Sequence, residues 1–257
     1  MIQKLSEYIK MSDPHVLKDS KKIWVPLENN PEVMTRLAHK LGLSPTLSFQ
    51  DVYSLHEPEL LALIPRPCHA LLFLWPSSPI SDAAFAEEEA AMIAYEGSGP
   101  DEPVMWFPQT IGHACGLIGL LHCLTNGEAA RNIGPDSDLA KLLAEAIPLK
   151  SAERADLLYD SEILETAHKA AAQTGDSRSP TIDEPVPYAF TAFVKGKDGH
   201  LWELEGWRKG PVDRGVLGEG EDVLCTKALQ RGPLRIINQE KASEQRFSCV
   251  ALVTSED

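Results

Sequence analysis

The segment that decides the fold spans residues 109–122 and has the sequence QTIGHACGLIGLLH. From Cys115 onward it is almost wholly apolar, and Pro108 and Gly112 precede that run, so a buried helix is predicted to begin at Cys115. A cysteine in the first turn of a helix lies beside unpaired backbone N–H groups and the positive end of the helix dipole, and both favour the thiolate. The alternative is an unreactive structural cysteine, because cysteine is often buried.

Gln109 adds a second chemical group to this segment, because its amide could donate an N–H to an oxyanion formed when Cys115 attacks a carbonyl carbon. The pattern Q-T-I-x-x-A-C-G-x-I-G-L-L-H resembles the nucleophile motif of the ubiquitin carboxyl-terminal hydrolases, papain-like cysteine peptidases that cut at the C-terminus of ubiquitin. This resemblance implies that Cys115 is the nucleophile and that Gln109 supplies the oxyanion contact. The family usually has Asn two residues before the cysteine, where this chain has His113.

The composition limits the classes of partner. The 257 residues can form one domain, or two small ones, and they include 38 Asp and Glu against 24 Lys and Arg, for a net charge of −14. An acidic balance argues against nucleic acid and anionic membranes as partners. No apolar run is long enough to span a membrane, and residues 1–22 do not resemble a signal peptide. Five cysteines without C-x-x-C spacing predict reduced thiols in the cytoplasm, with no metal and no cofactor.

The resemblance extends well beyond the nucleophile segment, from about Ile23 to the C-terminus. Residues 24–33, WVPLENNPEV, resemble the family's W-L-P-L-E-x-N-P-E-V, and residues 58–74 follow its P-E-L-L-x-x-x-P-R-P-x-x-A-L-L-x-L pattern. We therefore predict an N-terminal extension at residues 1–22 and a single catalytic domain at residues 23–257. The extension is either a short helix around residues 2–11 or a mobile tail.

Periodicity and turn residues predict helices and strands on both sides of the nucleophile segment. The predicted helices lie near 31–41, 59–64, 83–95, 139–147 and 221–229, and the predicted strands near 49–53, 70–75, 187–194, 200–206 and 247–253. The continuously apolar run at 70–75 predicts a strand covered on both faces.

Two polar segments carry weaker signals. Glu87, Glu88 and Glu89 are predicted to form a solvated helix face. Residues 151–179 begin with a helix cap and are then predicted as a long loop, and the matching segment of the resembled family crosses above the active site. His168, within this segment, is predicted to be a surface residue.

The second half of the site is predicted on the hairpin formed by residues 187–206. This hairpin resembles the family's motif H-F-x-x-x-V followed by D-G-x-L-x-E-L-D-G. With Phe190 and Val194 matched, the catalytic base falls on Ala189 and the orienting acid falls on Glu205, where Asp is usual. A glutamate can still accept an imidazole N–H.

Ala189 has the largest consequence of any residue in the chain, because alanine can neither take nor return a proton. Losing one member of a catalytic triad costs on the order of 10⁴-fold in turnover. Two explanations stay open: an engineered inactive form of an active hydrolase, or a natural pseudoenzyme. The intact Cys115, Gln109 and Glu205 favour the first. Without an imidazole partner, the thiol is predicted to be mostly protonated at neutral pH.

His113 is the histidine nearest in sequence to Cys115, and two roles are open to it. As a replacement base it would have to reach back across the start of the helix, away from the orienting acid. The favoured alternative is that it packs at the helix N-terminus with one ring N–H bonded to the backbone.

The resemblance therefore implies an α/β fold of the α-β-α, papain-like type, with a mostly antiparallel central sheet flanked by helices and a chain threaded into a knot. The implied activity is thiol-dependent hydrolysis of small adducts from the C-terminus of ubiquitin, by a monomer in the cytoplasm whose partner is ubiquitin or a ubiquitin-like protein. The rival hypothesis is a catalytically dead pseudoenzyme that binds ubiquitin or a relative.

Overall fold

The computed structural model describes residues 22–176, 186–239 and 247–255. In this part of the chain the helices are α1 (Pro31–Leu41), α2 (Pro58–Leu61), α3 (Pro79–Ala91), α4 (Cys115–Leu124), α5 (Asp138–Ala146), α6 (Ser151–Asp160), α7 (Glu162–Ala172), α8 (Thr226–Arg231) and α9 (Pro233–Gln239), with a 3-10 turn at Ala129–Asn132. The strands are β1 (Leu47–Asp51), β2 (Cys68–Pro76), β3 (Tyr188–Lys195), β4 (His200–Leu204), β5 (Val212–Val216) and β6 (Ser248–Thr254). The helix or tail predicted before residue 22 lies outside the described residues.

The strands form one sheet in the order β1-β6-β2-β3-β4-β5, and every neighbouring pair is antiparallel. The last strand, β6, lies between β1 and β2, so that Leu47 pairs with Thr254 and Leu71 pairs with Ala251. The predicted burial of β2 on both faces is confirmed, since most of its side chains are buried. None of the described helices combines the length and apolarity needed to cross a membrane.

Helices cover both faces of the sheet. One apolar cluster joins one sheet face to α1, α4, α5 and α7, and a second joins the other face to α3, α8 and α9. This arrangement confirms the predicted α-β-α class. The first helix shows how local sequence places these elements: the Asn30 side chain accepts the backbone N–H groups of Glu32 and Val33, and the helix ends at Gly42, whose φ of +116° suits glycine.

The segment predicted as a long loop is instead largely helical. Residues 151–172 form α6 and α7, and the hydroxyl of Ser161 caps α7 by accepting the Leu164 N–H. The buried face of α7 includes Leu164 and His168. His168 is fully buried, so its predicted surface position is wrong, because tertiary packing of α7 places this face against the core.

The predicted solvation of residues 87–89 is also wrong for two of the three glutamates. Glu88 accepts hydrogen bonds from the guanidinium groups of Arg208 and Arg214, and Glu89 pairs with Arg208. Both arginines also bind the fully buried carboxylate of Glu203 on β4. This ion network joins α3 to the β4–β5 region, where the predicted acid lies.

Two further elements differ from prediction. The helix predicted at 221–229 begins later, at Thr226, because Asp222 instead accepts backbone N–H groups from Cys68 and Leu224 in a turn. Strand β5 and helix α9 were not predicted, since neither shows a clear apolar alternation or a strong cap.

Candidate active site

Cys115 is the first residue of α4, as predicted, and the helix has no side-chain cap at Ala114. The preceding residue, His113, has a φ of +60°, so the chain turns sharply before it enters the helix. Backbone N–H groups of Cys115, Gly116 and Phe190 are directed towards the Cys115 sulfur and favour its thiolate form. The thiol therefore lies between the first turn of α4 and the beginning of β3.

The pKa of the Cys115 thiol is nevertheless raised to about 12. Burial of the sulfur is the main cause, and the negative charge of Glu205 raises the pKa further. The three backbone N–H groups lower it, but by less. The expectation that the helix N-terminus makes this thiol acidic is thus not met, because desolvation and a neighbouring carboxylate outweigh the helix end.

Gln109 is buried and fixed at two points. Its backbone N–H donates to the carbonyl of Gly206 at 2.8 Å, and its side-chain Nε2 donates to the carbonyl of Ile111 at 3.1 Å. Gly206 is required there, because a Cβ at that position would lie 2.9 Å from the Cβ of Gln109. An amide nitrogen has two hydrogens, so one N–H remains for an incoming oxygen.

Glu205 directly follows β4 and is 1% exposed. One carboxyl oxygen, Oε1, accepts the Trp207 backbone N–H at 3.1 Å, whereas Oε2 is buried without a partner among the described residues. Burial raises the pKa of Glu205 to about 7, and the Trp207 N–H and the nearby Arg208 only partly oppose this. The carboxyl group therefore changes charge near neutral pH.

Ala189 lies near the start of β3, where it pairs with Trp75 of β2 and packs in the apolar cluster on the Trp75 side of the sheet. The next side chain, Phe190, lies on the α4 side. The Phe190 ring would be 3.3 Å from a Cβ at Gly116, and its Cβ would be 3.4 Å from a Cβ at Gly119. The two glycines of the nucleophile helix thus make room for the Phe190 side chain.

The predicted residues Cys115, Gln109 and Glu205 are brought together, and Ala189 immediately precedes the strand residue whose N–H contacts the thiol. Sequence reasoning did not predict the contributions of Phe190 and Gly206. The sequence indicated them only through the resembled hairpin motif, in which Phe190 occupies an aromatic position and Gly206 occupies a glycine position. Among the described residues, no group of three His, Cys, Asp or Glu side chains is arranged to bind a metal ion.

Seven of the eight histidines lie in the described residues, and none of these seven hydrogen-bonds Cys115 or Glu205. His113 instead uses a ring N–H to bond the backbone of Trp24, which confirms the favoured prediction for it. Burial lowers the pKa of His113. Of the other six, His56 is exposed. The remaining five each form a hydrogen bond elsewhere: His39 with Leu47, His69 with Thr254, His122 with Phe107, His168 with Val25 and His200 with Asp213.

A cysteine at a helix N-terminus, an amide upstream of it and a carboxyl on the adjoining hairpin define a cysteine hydrolase site of the papain-like type. The sequence profile of ubiquitin carboxyl-terminal hydrolase, family 1, matches residues 24–232. The chain therefore belongs to this family of cysteine-type ubiquitin hydrolases.

Individual relatives agree with this assignment. The chain is 36% identical to a ubiquitin carboxyl-terminal hydrolase of Aplysia californica over 77% of its length and 88% of the relative, and 33% identical to human ubiquitin carboxyl-terminal hydrolase isozyme L1 over 88% and 96%. Its fold is similar to the catalytic domain of Trichinella spiralis UCH37 bound to ubiquitin vinyl methyl ester. That similarity has a TM-score of 0.68 at 22% identity and covers 93% of this chain and 99% of the other.

Proposed function

We propose that this chain binds the C-terminal tail of ubiquitin at Cys115 and hydrolyses small adducts from it only slowly. Cys115 would attack the scissile carbonyl to form a thioester, and the free N–H of Gln109 would donate to the oxyanion. The single observation that supports slow turnover is a thiol of pKa about 12 with no imidazole bonded to it among the described residues. At neutral pH such a thiol is almost wholly protonated and is a poor nucleophile.

We assign the missing base to position 189. The hairpin motif is the basis for this choice, and position 190 is the alternative, because the Phe190 ring faces Gly116 of the nucleophile helix whereas Ala189 packs on the Trp75 side of the sheet. An imidazole at 189 would project from the Trp75 side of the sheet, whereas one at 190 would face α4 and replace the Phe190 ring beside Gly116 and Gly119. Glu205, with its unpartnered Oε2, would then orient the imidazole.

We further propose a monomer that acts in the cytoplasm on ubiquitin or a ubiquitin-like protein, without nucleic acid, a membrane or a cofactor. The net charge of −14 supports a partner with a basic face and disfavours polyanions. The five cysteines are all free, which suits a reducing compartment.

The test compares the chain with Ala189→His and Phe190→His, using hydrolysis of a ubiquitin C-terminal fluorogenic amide and binding of free ubiquitin. We expect Ala189→His to raise kcat by about 10³-fold or more with little change in ubiquitin affinity. Phe190→His should not raise it. Cys115→Ala in the Ala189→His background should abolish the gain, which would show that Cys115 is the nucleophile.

Two outcomes would overturn parts of this proposal. If the unaltered chain already turns over as fast as Ala189→His, the thiol has another base and slow turnover is wrong. If Ala189→His still fails to cleave while both proteins bind ubiquitin, the pseudoenzyme hypothesis replaces hydrolysis. A gain by Phe190→His alone would move the base position by one residue.

A further inference from the structure

The segment just before α1 is paired with the turn that leads into the nucleophile helix. We call residues 22–25 the N-terminal strap and residues 111–114 the nucleophile turn. The Trp24 N–H donates to the Gly112 carbonyl at 2.9 Å, and the Gly112 N–H donates to the Lys22 carbonyl at 3.0 Å. Ile23 and Gly112 thereby form a parallel β-bridge. The strap is thus one short strand against the backbone that presents Cys115.

A histidine of the nucleophile turn adds a side-chain bond to this pairing. His113 is 8% exposed and bonds the Trp24 backbone through its ring, while its Nε2 is buried without a partner among the described residues. The contact with the Trp24 carbonyl is therefore made by Nδ1, and burial lowers the pKa of the ring. Because His113 has a φ of +60°, this bond also stabilises a backbone conformation that few side chains adopt.

A second histidine binds the next residue of the strap from the opposite side. The Nε2 of His168, on α7, lies 2.7 Å from the carbonyl oxygen of Val25, and the His168 ring packs against the Trp24 ring with centroids 4.6 Å apart. Lys22 reaches the same helical region, where its ammonium group donates to the Tyr159 carbonyl at 2.6 Å and pairs with Glu165. Two consecutive strap carbonyls are therefore bound by two histidines, one from the nucleophile turn and one from α7.

We propose that the N-terminal strap couples α7 to the nucleophile turn, with His113 and His168 as positioning residues for Cys115. Displacing α7 would release the Val25 carbonyl and the Trp24 ring, and the strap would then bond the turn less firmly. This coupling rests on the proposed function and concerns the same site, because the nucleophile turn is the backbone that presents Cys115. Neither histidine touches the reacting atoms, so their effect would come through the geometry of Cys115.

The first test needs no ubiquitin, so its failure is separate from failure of the proposed function. We would measure amide hydrogen exchange at Trp24 and Gly112, and alkylation of Cys115 by iodoacetamide, by mass spectrometry. The variants are His113→Ala, His113→Asn, His168→Leu and, as a matched control, His200→Asn. His200 is a partly exposed histidine that bonds Asp213 at the far end of β4.

We expect His113→Ala to speed exchange at Trp24 and Gly112 by about tenfold or more and to change the Cys115 alkylation rate. His113→Asn should stay near the unaltered protein, because Asn can donate to a carbonyl and tolerates a positive φ. The decisive variant is His168→Leu, which cannot donate to the Val25 carbonyl and should also speed exchange at Gly112 although His168 does not contact that residue. His200→Asn should change neither quantity.

The second test separates positioning from general stability. In the Ala189→His background, His113→Ala should lower kcat by about tenfold or more with little change in KM, and His113→Asn should restore most of it. The coupling is refuted if His168→Leu leaves both Gly112 exchange and Cys115 alkylation unchanged. If His168→Leu unfolds the protein, Trp24→Leu provides the second variant, because it removes the ring that packs on His168 and leaves the Trp24 backbone N–H that bonds Gly112. It should speed exchange at Gly112, and unchanged exchange there would refute the coupling.

Discussion

The carboxyl group of Glu205 lies close enough to the Cys115 thiol for its charge to raise the pKa of that thiol. Glu205 is itself buried, with one oxygen unpartnered among the described residues and a pKa raised to about 7. A buried thiol whose ionisation is opposed by a neighbouring carboxylate is what remains of such a site when no cation lies between them. An imidazolium there would stabilise both anions.

The first prediction concerns the reactivity of Cys115. At pH 7.5 a thiol of pKa about 12 should be alkylated about a thousandfold more slowly than one of ordinary pKa, because its thiolate fraction is that much smaller. The rate should rise about tenfold per pH unit, without a plateau below pH 10. Alkylation by iodoacetamide, followed on the peptide that contains Cys115, measures this. A plateau near pH 8 would contradict the raised pKa.

The second prediction concerns Glu205→Gln. The folded-state pKa of about 7 exceeds the ordinary value of 4.5, so this carboxyl favours folding below pH 4.5 and loses that contribution as the pH rises through 7. Glu205→Gln removes the ionisation and should raise the free energy of unfolding at pH 8 by about 1–3 kcal/mol, with little effect at pH 4.5. Urea unfolding at both pH values is the measurement.

Glu203→Gln is the matched control for that experiment. Glu203 is equally buried and lies two residues away, but burial is outweighed by Arg214, Arg235 and Arg208, which lower its pKa. Its loss should lower the free energy of unfolding at pH 8 by about 3–5 kcal/mol, because three guanidinium groups lose a buried partner. If both substitutions shift stability in the same direction, the contrast between these two carboxyl groups is refuted.

The third prediction concerns His168 at acid pH. Burial lowers its pKa to about 4, so the folded protein binds this proton less readily than the unfolded chain, whose histidine titrates near 6.5. The stability that depends on neutral His168 is complete above pH 6.5 and is lost as the pH falls towards 4, by about 1.4 kcal/mol per pH unit. His168→Gln should remove this slope. The difference in urea midpoints between the two proteins at pH 7 and pH 5 tests it, and a difference independent of pH would refute it.

The fourth prediction concerns Gly119. Alanine is the better helix former by about 1 kcal/mol, yet its Cβ would lie 2.6 Å from Cδ1 of Leu72 and 3.4 Å from the Cβ of Phe190. Gly119→Ala should therefore lower the free energy of unfolding by about 1–3 kcal/mol. Adding Leu72→Val should recover part of the loss, which a double-mutant cycle would detect. Strict additivity of the two substitutions would show that the contact does not limit packing.

Much of the site follows from local pattern. An apolar run after Pro108 and Gly112 is enough to place Cys115 at the start of a helix, and strand alternation places Glu205 near the end of a hairpin. The thiol pKa could not be predicted in this way, because it depends on burial and on a carboxyl distant in sequence. Helix-end arguments consider only the backbone of α4 itself.

The fold was predictable to a similar extent. Strand β2 could be predicted because seven consecutive residues, from Ala70 to Pro76, are apolar. Strand β5 contains Asp213, Arg214 and Gly215, and it forms because it pairs with β4 and because Arg214 binds Glu203. Helix α7 is polar enough to suggest a loop, but Leu164 and His168 find partners in the core. Helices and strands that form because of contacts with residues distant in sequence are hard to predict from their own residues alone.

The position of β6 has a consequence for how the protein is made. Among the described strands, β1 pairs with β6 alone, so the ladder that joins Leu47 to Thr254 can form only after residue 254 has been made. During synthesis, β1 and β2 leave the ribosome long before the strand that joins them. The sheet therefore cannot close before residue 254 has been made, and the edge of β2 that pairs with β6 stays unpaired until then. The unpaired edge of β2 in the nascent chain is therefore a surface to which molecular chaperones could bind during synthesis.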